Sequence, residues 1–460
     1  MNFVTLILNP FFYWLAWVII PLIVEIIPGI GSFLNIIFKK NVEKIYKDPS
    51  VWPDIEVIVP VYNSQDSLLK CVRSINDSEY PNEHIQVFLV DNRSQDKSFD
   101  IYALAQKTFP TLRLQWLSAE QGKSRALNLA IYNGGGKYII NIDSDGYLEK
   151  SALARIVRRF ENDEEIAGLT GTILTDPDEI EKWPTLKGRI LRRLEFLEYA
   201  QAFMAGRNYA SNKNEMYTFS GAFTAFRLST IRHTRLYNTN TIAEDTEITF
   251  QIKHLLKKKV GIVVDAIYIT GPIEDLNKLY TQRQRWQRGS LEVSQMYQDS
   301  SLSFKNLKKN VDIKTLLFDH TFAFPRLIWY LALIYLLMAG YSSEVVVVSM
   351  LVIFGFYILC GYLYYFVSLH ILKPFSDLRD YYKQNGIYVV LLPLFNMLTF
   401  FIRFAGIINS IKTPGSWKTD TLTEEKSVFK NRLKRDADKV KAVFVKFSDM
   451  VNDAEEIEEG

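Results

Sequence analysis

Two aspartates separated by a single residue follow one of the apolar runs of this sequence. Asp143 and Asp145 come directly after Tyr138–Ile142, and Asp91 follows an earlier run. A hard cation such as Mg²⁺ or Mn²⁺ takes one or two protein carboxylates and fills its other positions with phosphate and water oxygens. A single Asp-x-Asp is also common in turns, where aspartate bonds its own backbone. Three aspartates at strand ends together favour a metal and nucleotide site.

Two other charged positions could serve the same site. Lys123 stands at the predicted start of a helix, where the helix dipole favours an anion such as phosphate, although a solvated surface lysine fits the sequence equally well. Glu244 and Asp245 precede an apolar helix that we expect to begin near Ile248. They either complement the helix N-terminus or supply a general base that deprotonates a hydroxyl.

A stretch rich in arginine, with one tryptophan, follows later in the chain. Residues 282–289 read QRQRWQRG and include Gln282, Arg285 and Trp286. A guanidinium can bind phosphate oxygens in pairs, and an indole can stack on a sugar or a base. The alternative is an amphipathic helix at a membrane surface, where Arg and Trp are also favoured.

Short apolar runs and helical segments alternate between residues 52 and 300. The runs are rich in β-branched residues, as buried parallel strands are, and the segments between them carry apolar residues at helical spacing. The predicted strands are 55–61, 85–90, 112–117 and 138–142, and the predicted helices cover 68–75, 96–109 and 124–132. This alternation predicts an α/β domain with a mostly parallel sheet and helices on both faces. Ligands of such sheets bind outside the carboxyl ends of the strands, where Asp91, Asp143 and Asp145 fall.

The averages of the whole chain hide a segregation of apolar residues. The 460 residues have a net charge of +3 and a mean hydropathy of −0.01, which suit a soluble protein and exclude collagen-like, disordered and disulfide-rich classes. Residues 3–38, however, contain one charged residue, and this apolar start is unlike a cleaved signal peptide. We therefore expect residues 1–40 to form a retained transmembrane anchor.

A second apolar region fills the C-terminal third. Residues 324–411 contain about three segments long enough to span a bilayer, at 324–341, 345–371 and 387–411. The preceding amphipathic stretch, 303–323, is predicted to lie at the membrane interface.

The distribution of Lys and Arg gives an orientation for most of the chain and a conflict at its end. Lys39, Lys40 and Lys44 place the domain after the first span in the cytoplasm. Counting spans then places the tail 412–460 outside, whereas its basic stretch, which precedes an acidic end, argues for inside. Either the segment 387–411 is re-entrant or interfacial, or one boundary is wrong.

The cysteines and histidines point to no further chemistry. Cys71 and Cys360, like the five histidines, show no disulfide or metal-ligand spacing. A zinc site is therefore not expected. As a separate point, no nucleic-acid partner is expected.

Together these residues resemble the processive, membrane-embedded glycosyltransferases of family 2, which include cellulose, hyaluronan, chitin and poly-N-acetylglucosamine synthases. The shared motifs, in family order, are PVYN at 60–63, VDNRSQD at 90–96, GKSRALN at 122–128, DSDG at 143–146, SGAFTAFR at 220–227, AED at 243–245 and QRQRW at 282–286. Each motif alone is weak, but the ordered series across about 230 residues is specific. The resemblance implies a GT-A (Rossmann-like) domain inserted between transmembrane helices, with hexosyltransferase activity.

The resemblance also implies which residues bind the donor, a UDP-sugar. Tyr62 and Asp91 would contact the uracil or ribose, and Asp143 would bind uridine. Asp143 and Asp145 would bind the Mg²⁺ or Mn²⁺ on the diphosphate. The full implied donor set is Tyr62, Asp91, Lys123, Asp143 and Arg285.

The acceptor side is implied in the same way. Asp245 would be the catalytic base that deprotonates the acceptor hydroxyl for inverting attack on the anomeric carbon. The residues that would hold the diphosphate and the terminal acceptor sugar are Glu244, Gln282, Arg285 and Trp286.

The chain departs from the family pattern at three motif positions. Asn92 replaces a second aspartate, Ser124 replaces an alanine, and Ala243 replaces a threonine, and none of these changes removes an essential acid. Near the C-terminus, residues 416–419 (SWKT) resemble the gating loop of these synthases. The proline-containing first span is similar to that of Gram-positive glycosyltransferases associated with an exosortase-like protein.

These features predict polysaccharide synthesis at the cytoplasmic membrane face, coupled to export. A polar polymer cannot cross about 30 Å of hydrocarbon unaided, and spans of the same chain can line its path. One alternative is transfer of a single sugar to a lipid-linked acceptor, and another is a non-catalytic membrane scaffold. The expected partners are the donor, a polysaccharide or lipid-linked acceptor and membrane lipids, and accessory export or assembly proteins are left open.

Overall fold

The computed structural model describes residues 46–297, 323–340 and 342–412, together with residues 30, 33, 34, 421–425 and 427. The predicted anchor 1–40, the interfacial helix 303–323 and the tail 412–460 lie almost wholly outside the described residues. These three predictions, the gating-loop resemblance and the exosortase-associated resemblance therefore stay predictions.

Strands and helices alternate through residues 55–296. In chain order they are β1 Ile55–Val61, α1 Leu68–Asn76, β2 Ile85–Asp91, α2 Ser98–Thr108, β3 Arg113–Ser118, α3 Lys123–Asn133, β4 Tyr138–Ile142, β5 Gly146–Leu148, α4 Ala152–Glu161, β6 Ile166–Thr175, α5 Pro177–Glu181, α6 Leu186–Ala200, α7 Asn208–Asn212, β7 Phe223–Arg227, α8 Leu228–Ile231, α9 Glu244–Phe250, β8 Lys259–Thr270 and α10 Leu276–Met296. A π-helical turn, Gln201–Arg207, continues α6, and a second, Gln251–Leu255, continues α9.

The strands form one twisted sheet in the described part of the chain, in the order β3-β2-β1-β4-β7-β6-β8-β5. The first four are parallel, with Ile55 of β1 opposite both Ile85 and Tyr138. Every residue of β1 and β4 is buried, whereas the edge strand β3 begins with the exposed Arg113. Charge and exposure at an edge discourage pairing with another chain.

The second half of the sheet differs from the predicted mostly parallel arrangement. Strand β7 runs antiparallel to both β4 and β6, and β5 runs antiparallel to β8, while β6 and β8 are parallel. The sheet is therefore mixed. The sequence does not predict β5 to β8, because a strand such as β6 (IAGLTGTILT) mixes glycine and threonine into its apolar run.

Most of the predicted boundaries within the first half are confirmed. Strands β1 and β4 have the predicted limits, and β2 extends one residue further, so that Asp91 ends it. Helix α9 is a correction, because it begins at Glu244 and not near Ile248. Its first turn therefore carries both acidic residues, which complement the positive end of the helix dipole.

Among the described residues, four helices follow the α/β domain. They are α11 Ala323–Met338, α12 Ser343–Ile371, α13 Ser376–Gln384 and α14 Leu392–Lys412, the last preceded by a 3₁₀ turn at Gly386–Leu391. Two stretches, Val346–Ile371 and Gly386–Asn409, are long and apolar enough to cross a membrane. The predicted span 324–341 is helical, but its 16 residues in α11 cover only about 24 Å, so the described part falls short of a full span.

These C-terminal helices pack directly on the α/β domain. The side-chain amide of Gln201 donates to the carbonyl of Gly361 in α12 at 3.0 Å. Arg193 of α6 donates two hydrogen bonds to Glu181, at 2.9 and 2.6 Å, and a third to the Tyr388 hydroxyl at 2.7 Å. The end of α12 and the segment after it are therefore fixed to the side of the domain that carries α6.

Candidate active site

The loops that follow β1, β2 and β3 are joined to one another at the carboxyl edge of the sheet. The Asp91 carboxylate accepts a hydrogen bond from the Ser94 amide at 3.0 Å. The side-chain oxygen of the buried Asn92 accepts from the Gly122 amide at 3.1 Å. Gly122 has φ of 137°, a conformation that favours glycine. Asn92 thus fixes the turn that presents Lys123.

The loop after β1 is connected to the loop that carries the paired aspartates. Tyr62 is 50% exposed at the mouth of this edge, and Asn63 has a positive φ of 49°, which asparagine tolerates better than most residues. The hydroxyls of Ser64 and Ser144 lie 2.7 Å apart and are buried. This contact sets the position of the Asp143–Asp145 loop relative to the exposed ring of Tyr62.

Lys123 lies at the centre of the site. Its ammonium group forms an ion pair with Asp143 and donates to the carbonyl of Gly221 at 3.1 Å. Although burial alone would lower the pKa of Lys123, the carboxylates of Asp143, Glu244 and Asp245 raise it. The lysine is therefore held as a cation among the acidic residues, which favours binding of a phosphate group.

Asp145 lies beside Asp143 and has a different environment. The Tyr268 hydroxyl donates to the Asp143 backbone carbonyl at 2.7 Å and lies 3.3 Å from the Asp145 carboxylate. Burial and the negative charge of Asp143 raise the pKa of Asp145. A divalent cation would relieve this repulsion, so the two carboxylates fit Mg²⁺ or Mn²⁺. No cluster of three or more ligating side chains exists among the described residues.

Asp245 is oriented by backbone donors from two segments. Its carboxylate accepts from the Gly221 amide at 3.2 Å and from the Thr246 amide at 2.7 Å. Gly221 therefore joins Asp245 to Lys123, because its amide meets one and its carbonyl meets the other. Burial and the charge of Asp245 raise the pKa of the neighbouring Glu244. The two neighbouring carboxyl groups, Glu244 and Asp245, therefore do not readily carry a negative charge at the same time.

Helix α10 presents the QRQRW motif on two faces. Arg285 and Trp286 are exposed, Trp286 by 37%. The positive charge of Arg285 opposes the rise in the pKa of Glu244. Arg283 is buried, forms an ion pair with Glu198 of α6, and has its guanidinium 4.3 Å from the Trp286 ring centroid. The buried arginine thus supports the exposed tryptophan from behind.

The structure brings most of the predicted site residues to one edge. Lys123, Asp143, Glu244 and Asp245 interact electrostatically, Arg285 reaches Glu244, and Asp145 adjoins Asp143. Asp91 and Tyr62 lie at the ends of the neighbouring strands. Gln282 and Trp286 lie on the same helix as Arg285, but no described contact joins them to the aspartates.

Sequence reasoning misses several residues that hold these groups in place. Asn92 is noticed only as a departure from the family pattern, and Gly221 only as a motif letter. The remaining residues of this kind are Ser64, Tyr268 and Arg283. For Arg283 a signal exists, because residues three apart on a helix are neighbours, which predicts a contact between Arg283 and Trp286.

Comparison with known proteins agrees with this geometry. Residues 56–233 match the glycosyl transferase family 2 model. The chain is 23% identical over 241 residues to a poly-beta-1,6-N-acetyl-D-glucosamine synthase of Staphylococcus epidermidis, covering 52% of this chain and 55% of that protein. It is 24% identical over 284 residues to the probable glycosyltransferase YdaM of Bacillus subtilis, covering 61% and 66%. The chain therefore spans about half the length of the synthase that it matches.

A solved structure shares the fold. The mannosyltransferase PcManGT from Pyrobaculum calidifontis, in complex with GDP-Man and Mn²⁺, superposes with a TM-score of 0.52 at 17% identity, covering 80% of this chain and 96% of that one. The fold is thus that of the GT-A glycosyltransferases. Residues 56–233 thus match the glycosyl transferase family 2 model, and the chain is related in sequence to polysaccharide synthases.

Proposed function

We propose that the protein is an inverting glycosyltransferase that moves a sugar from a UDP-sugar to a growing polysaccharide at the cytoplasmic face of the membrane. One observation carries the proposal. Gly221 joins the carboxylate of Asp245 to Lys123, which is paired with Asp143, so that a base and a phosphate-binding cation share one support. Transfer from a nucleotide sugar needs both groups within one substrate length.

The donor would bind along the carboxyl edge of the sheet. Tyr62 offers an exposed ring for the nucleobase of the donor, and Asp91 lies beside it at the end of β2. Lys123 would meet a phosphate oxygen, and Asp143 and Asp145 would hold Mg²⁺ or Mn²⁺. When bound, this cation neutralises charge that develops on the diphosphate.

The reaction requires one proton transfer and one exchange of C–O bonds. The Asp245 carboxylate takes the proton of the acceptor hydroxyl, and the acceptor oxygen attacks the anomeric carbon from the face opposite the diphosphate. The bond between the anomeric carbon and the diphosphate oxygen breaks, and UDP leaves with both electrons. Arg285 and Lys123 stabilise the negative charge on the departing group. The single displacement inverts the anomeric configuration.

Processive synthesis coupled to export is part of the proposal. It is supported by the sequence relationship to a polymer synthase and by apolar helices packed on the catalytic domain. Trp286, exposed on α10 and supported by Arg283, offers a surface for the terminal sugar of a chain. Transfer of one sugar to a lipid-linked acceptor is the alternative, and it uses the same base and donor site.

Turnover of a panel of UDP-sugars by the purified full chain, with product sizing, tests the proposal. Polymer formed at low conversion from one UDP-sugar, dependent on Mg²⁺ or Mn²⁺, is the expected result. Discrete lipid products with one sugar would replace the processive reading by the alternative. Absence of both transfer and donor hydrolysis with every sugar would favour a scaffold instead.

A further inference from the structure

We propose that Gly289 is a positioning residue, whose missing side chain lets α10 approach the start of α9 closely. This approach sets the distance from the base Asp245 to the binding residues Arg285 and Trp286. The inference rests on the proposed function, in which α9 carries the base and α10 holds the diphosphate and the acceptor sugar. It concerns how these two helices are held together.

One line of residues on α10 faces α9, and its members are four positions apart. Residues with this spacing are neighbours on the surface of a helix. Each member interacts with a different part of α9 or of the turn before it, as described below. The line is here called the α9-facing stripe, and it consists of Arg285, Gly289, Val293 and, directly after the helix end, Tyr297.

The two ends of the stripe interact with acidic groups of α9. At one end, the positive charge of Arg285 opposes the rise in the pKa of Glu244 in the first turn of α9. At the other end, the Tyr297 hydroxyl donates to the buried Glu247 carboxylate at 2.6 Å. Gln251 donates to the second oxygen of that carboxylate at 2.7 Å. Glu247 is therefore fixed by its own helix, and Tyr297 ties α10 to it.

The middle of the stripe packs in a small apolar cluster of its own. Val293 is buried there with Ala243 and Phe250, and Tyr217 and Tyr297 pack against them. Ala243 directly precedes α9, and Phe250 is the last residue of that helix. The cluster therefore covers the whole length of α9, and the two helices share a core that is distinct from the large core around the sheet.

At Gly289 the two elements are too close for any side chain. A Cβ atom built at Gly289 would lie 2.5 Å from the Ala243 Cβ and 3.5 Å from the Ala243 Cα. Carbon atoms in contact normally lie about 3.5–4.0 Å apart, so a methyl group here would push α10 away by about 1 Å. The Cβ of an alanine is fixed to its backbone, so no rotation of a side chain can relieve this overlap.

The glycine is unfavourable for the helix that contains it. Gly289 lies inside α10, where glycine is a poorer helix former than alanine. Gly355 inside α12 is different, because no described atom outside its own helical backbone lies within 4 Å of a Cβ built there. A poor helix former therefore stands at the position where α10 touches Ala243.

The contact at Gly289 fixes α10 relative to the base. Asp245 lies two residues after Ala243, and Arg285 and Trp286 lie one helical turn before Gly289. Any displacement at the contact therefore moves the binding groups of α10 relative to the base. A displacement of about 1 Å can cost about 10²-fold in rate.

Moving one methyl group across the contact tests the proposal in the purified full chain. Gly289→Ala should lower the rate of transfer from the UDP-sugar about 100-fold. Its affinity for uridine monophosphate should stay unchanged, because Tyr62 and Asp91 lie on other loops. In the double variant Ala243→Gly/Gly289→Ala the opposing methyl group is absent, so transfer should return close to the wild-type rate.

Three results of these measurements would overturn the proposal. They are wild-type transfer by Gly289→Ala, a double variant as slow as the single one, and a parallel loss of affinity for uridine monophosphate. Gly355→Ala is the matched control, because it makes the same change inside another helix without an opposing atom. It should transfer at the wild-type rate.

Thermal unfolding tests the contact without any turnover. Gly289→Ala should lower the unfolding midpoint by about 2–10 °C, and Ala243→Gly should restore most of this loss in the double variant. Gly355→Ala should keep or raise the midpoint. A wild type that transfers no sugar would refute the proposed function, whereas additive effects of the two substitutions on the midpoint would overturn the contact itself.

Tyr297→Phe replaces Gly289→Ala if the latter does not fold. It removes the hydroxyl that donates to Glu247 and keeps the aromatic ring. Transfer should fall several-fold with unchanged affinity for uridine monophosphate, because the far end of the stripe is no longer tied to α9. Wild-type transfer by this variant would overturn the proposal.

Discussion

Asp245 and Asn92 differ in kind at the scale of single residues. Asp245 would take part in the chemistry, and its carboxylate is oriented by the amides of Gly221 and Thr246. Asn92 accepts a hydrogen bond from the Gly122 amide and so supports the turn before Lys123. The two residues therefore predict different kinetic outcomes.

Substitution Asp245→Asn should abolish transfer and spare donor binding. The amide keeps the size of the carboxylate but cannot take a proton, and loss of a general base costs about 10²–10⁴-fold in rate. Initial rates and UDP binding by calorimetry measure the two effects. Asp100→Asn, on the exposed first turn of α2, is the matched control. Retained turnover by Asp245→Asn would refute the assignment of the base.

Substitution Asn92→Ala should raise KM for the donor with a smaller change in kcat. It removes the acceptor for the Gly122 amide and loosens the turn that presents Lys123. Asn92→Asp retains an acceptor oxygen and restores the commoner family residue, so it should behave nearly like the wild type. Donor KM values for the three proteins decide the matter, and equal impairment by both substitutions would contradict the role of the acceptor.

At the scale of elements, α6 and α10 share a buried polar contact beneath the motif. Arg283 pairs with Glu198, and the same guanidinium lies 5.3 Å from the Tyr199 ring and 4.3 Å from the Trp286 ring. Glu195, one helical turn before Tyr199, is also buried and accepts from the Ile273 amide at 2.9 Å. The position of Trp286 therefore depends on charges that lie below the surface.

The Arg283–Glu198 pair should show strong coupling. Arg283→Met leaves the Glu198 charge buried and unpaired, which should destabilise the protein by about 3–5 kcal/mol. The double variant Glu198→Gln/Arg283→Met should recover most of that loss in thermal unfolding. Its acceptor KM should nevertheless stay raised, because Trp286 has lost its support. Lys278→Met, which changes an exposed residue on the same helix, is the control. An unchanged acceptor KM in the double variant would contradict the role of Arg283 in positioning Trp286.

Stability should fall as the pH rises through the titration of Glu195. Burial raises its pKa to about 7, and Glu198 adds to this, while the Ile273 amide, Arg283 and Arg192 oppose it. The raised pKa means that the folded state prefers the neutral acid, so stability is highest below about pH 4 for this group and declines up to about pH 7, by roughly 3 kcal/mol. Glu195→Gln should flatten the difference in thermal midpoint between pH 5 and pH 8. An unchanged slope would contradict the titration.

At the scale of the whole molecule, the catalytic domain and the C-terminal helices form one packed unit. Arg193 bonds the segment after α13, Gln201 bonds α12, and Gln284 meets α14. The apolar helices therefore hold a fixed position relative to the sheet. The proposed coupling of synthesis to export would need such a fixed arrangement.

Product made by inside-out vesicles should be protected from a glycoside hydrolase added outside. A chain that passes into the lumen during synthesis is inaccessible to the enzyme until detergent is added. The measurement is product length before and after hydrolase, with detergent-treated vesicles as the control. Complete digestion without detergent would separate synthesis from export and leave the transferase activity itself untouched.

The sequence by itself determines the first half of the sheet and most of the candidate site. Strands β1 to β4 can be predicted because each is a short apolar run between helical segments, and the motif residues follow the ends of these strands. Strands β5 to β8 are not predicted from the sequence, since glycine and threonine interrupt the apolar runs and their antiparallel partners are distant in sequence. The local sequence pattern is enough to predict β1 to β4, whereas β5 to β8 depend on pairing between distant parts of the chain.

Only the tertiary structure decides what Arg283, Asn92 and the apolar helix α14 contact. An arginine in a motif has the same letter whether it faces a substrate or a buried glutamate, and its partner Glu198 lies 85 positions away. An apolar helix satisfies the same length test whether its other face meets protein or lipid. The hydrogen bonds of Tyr388 and Asn409 show which side of this helix meets the α/β domain.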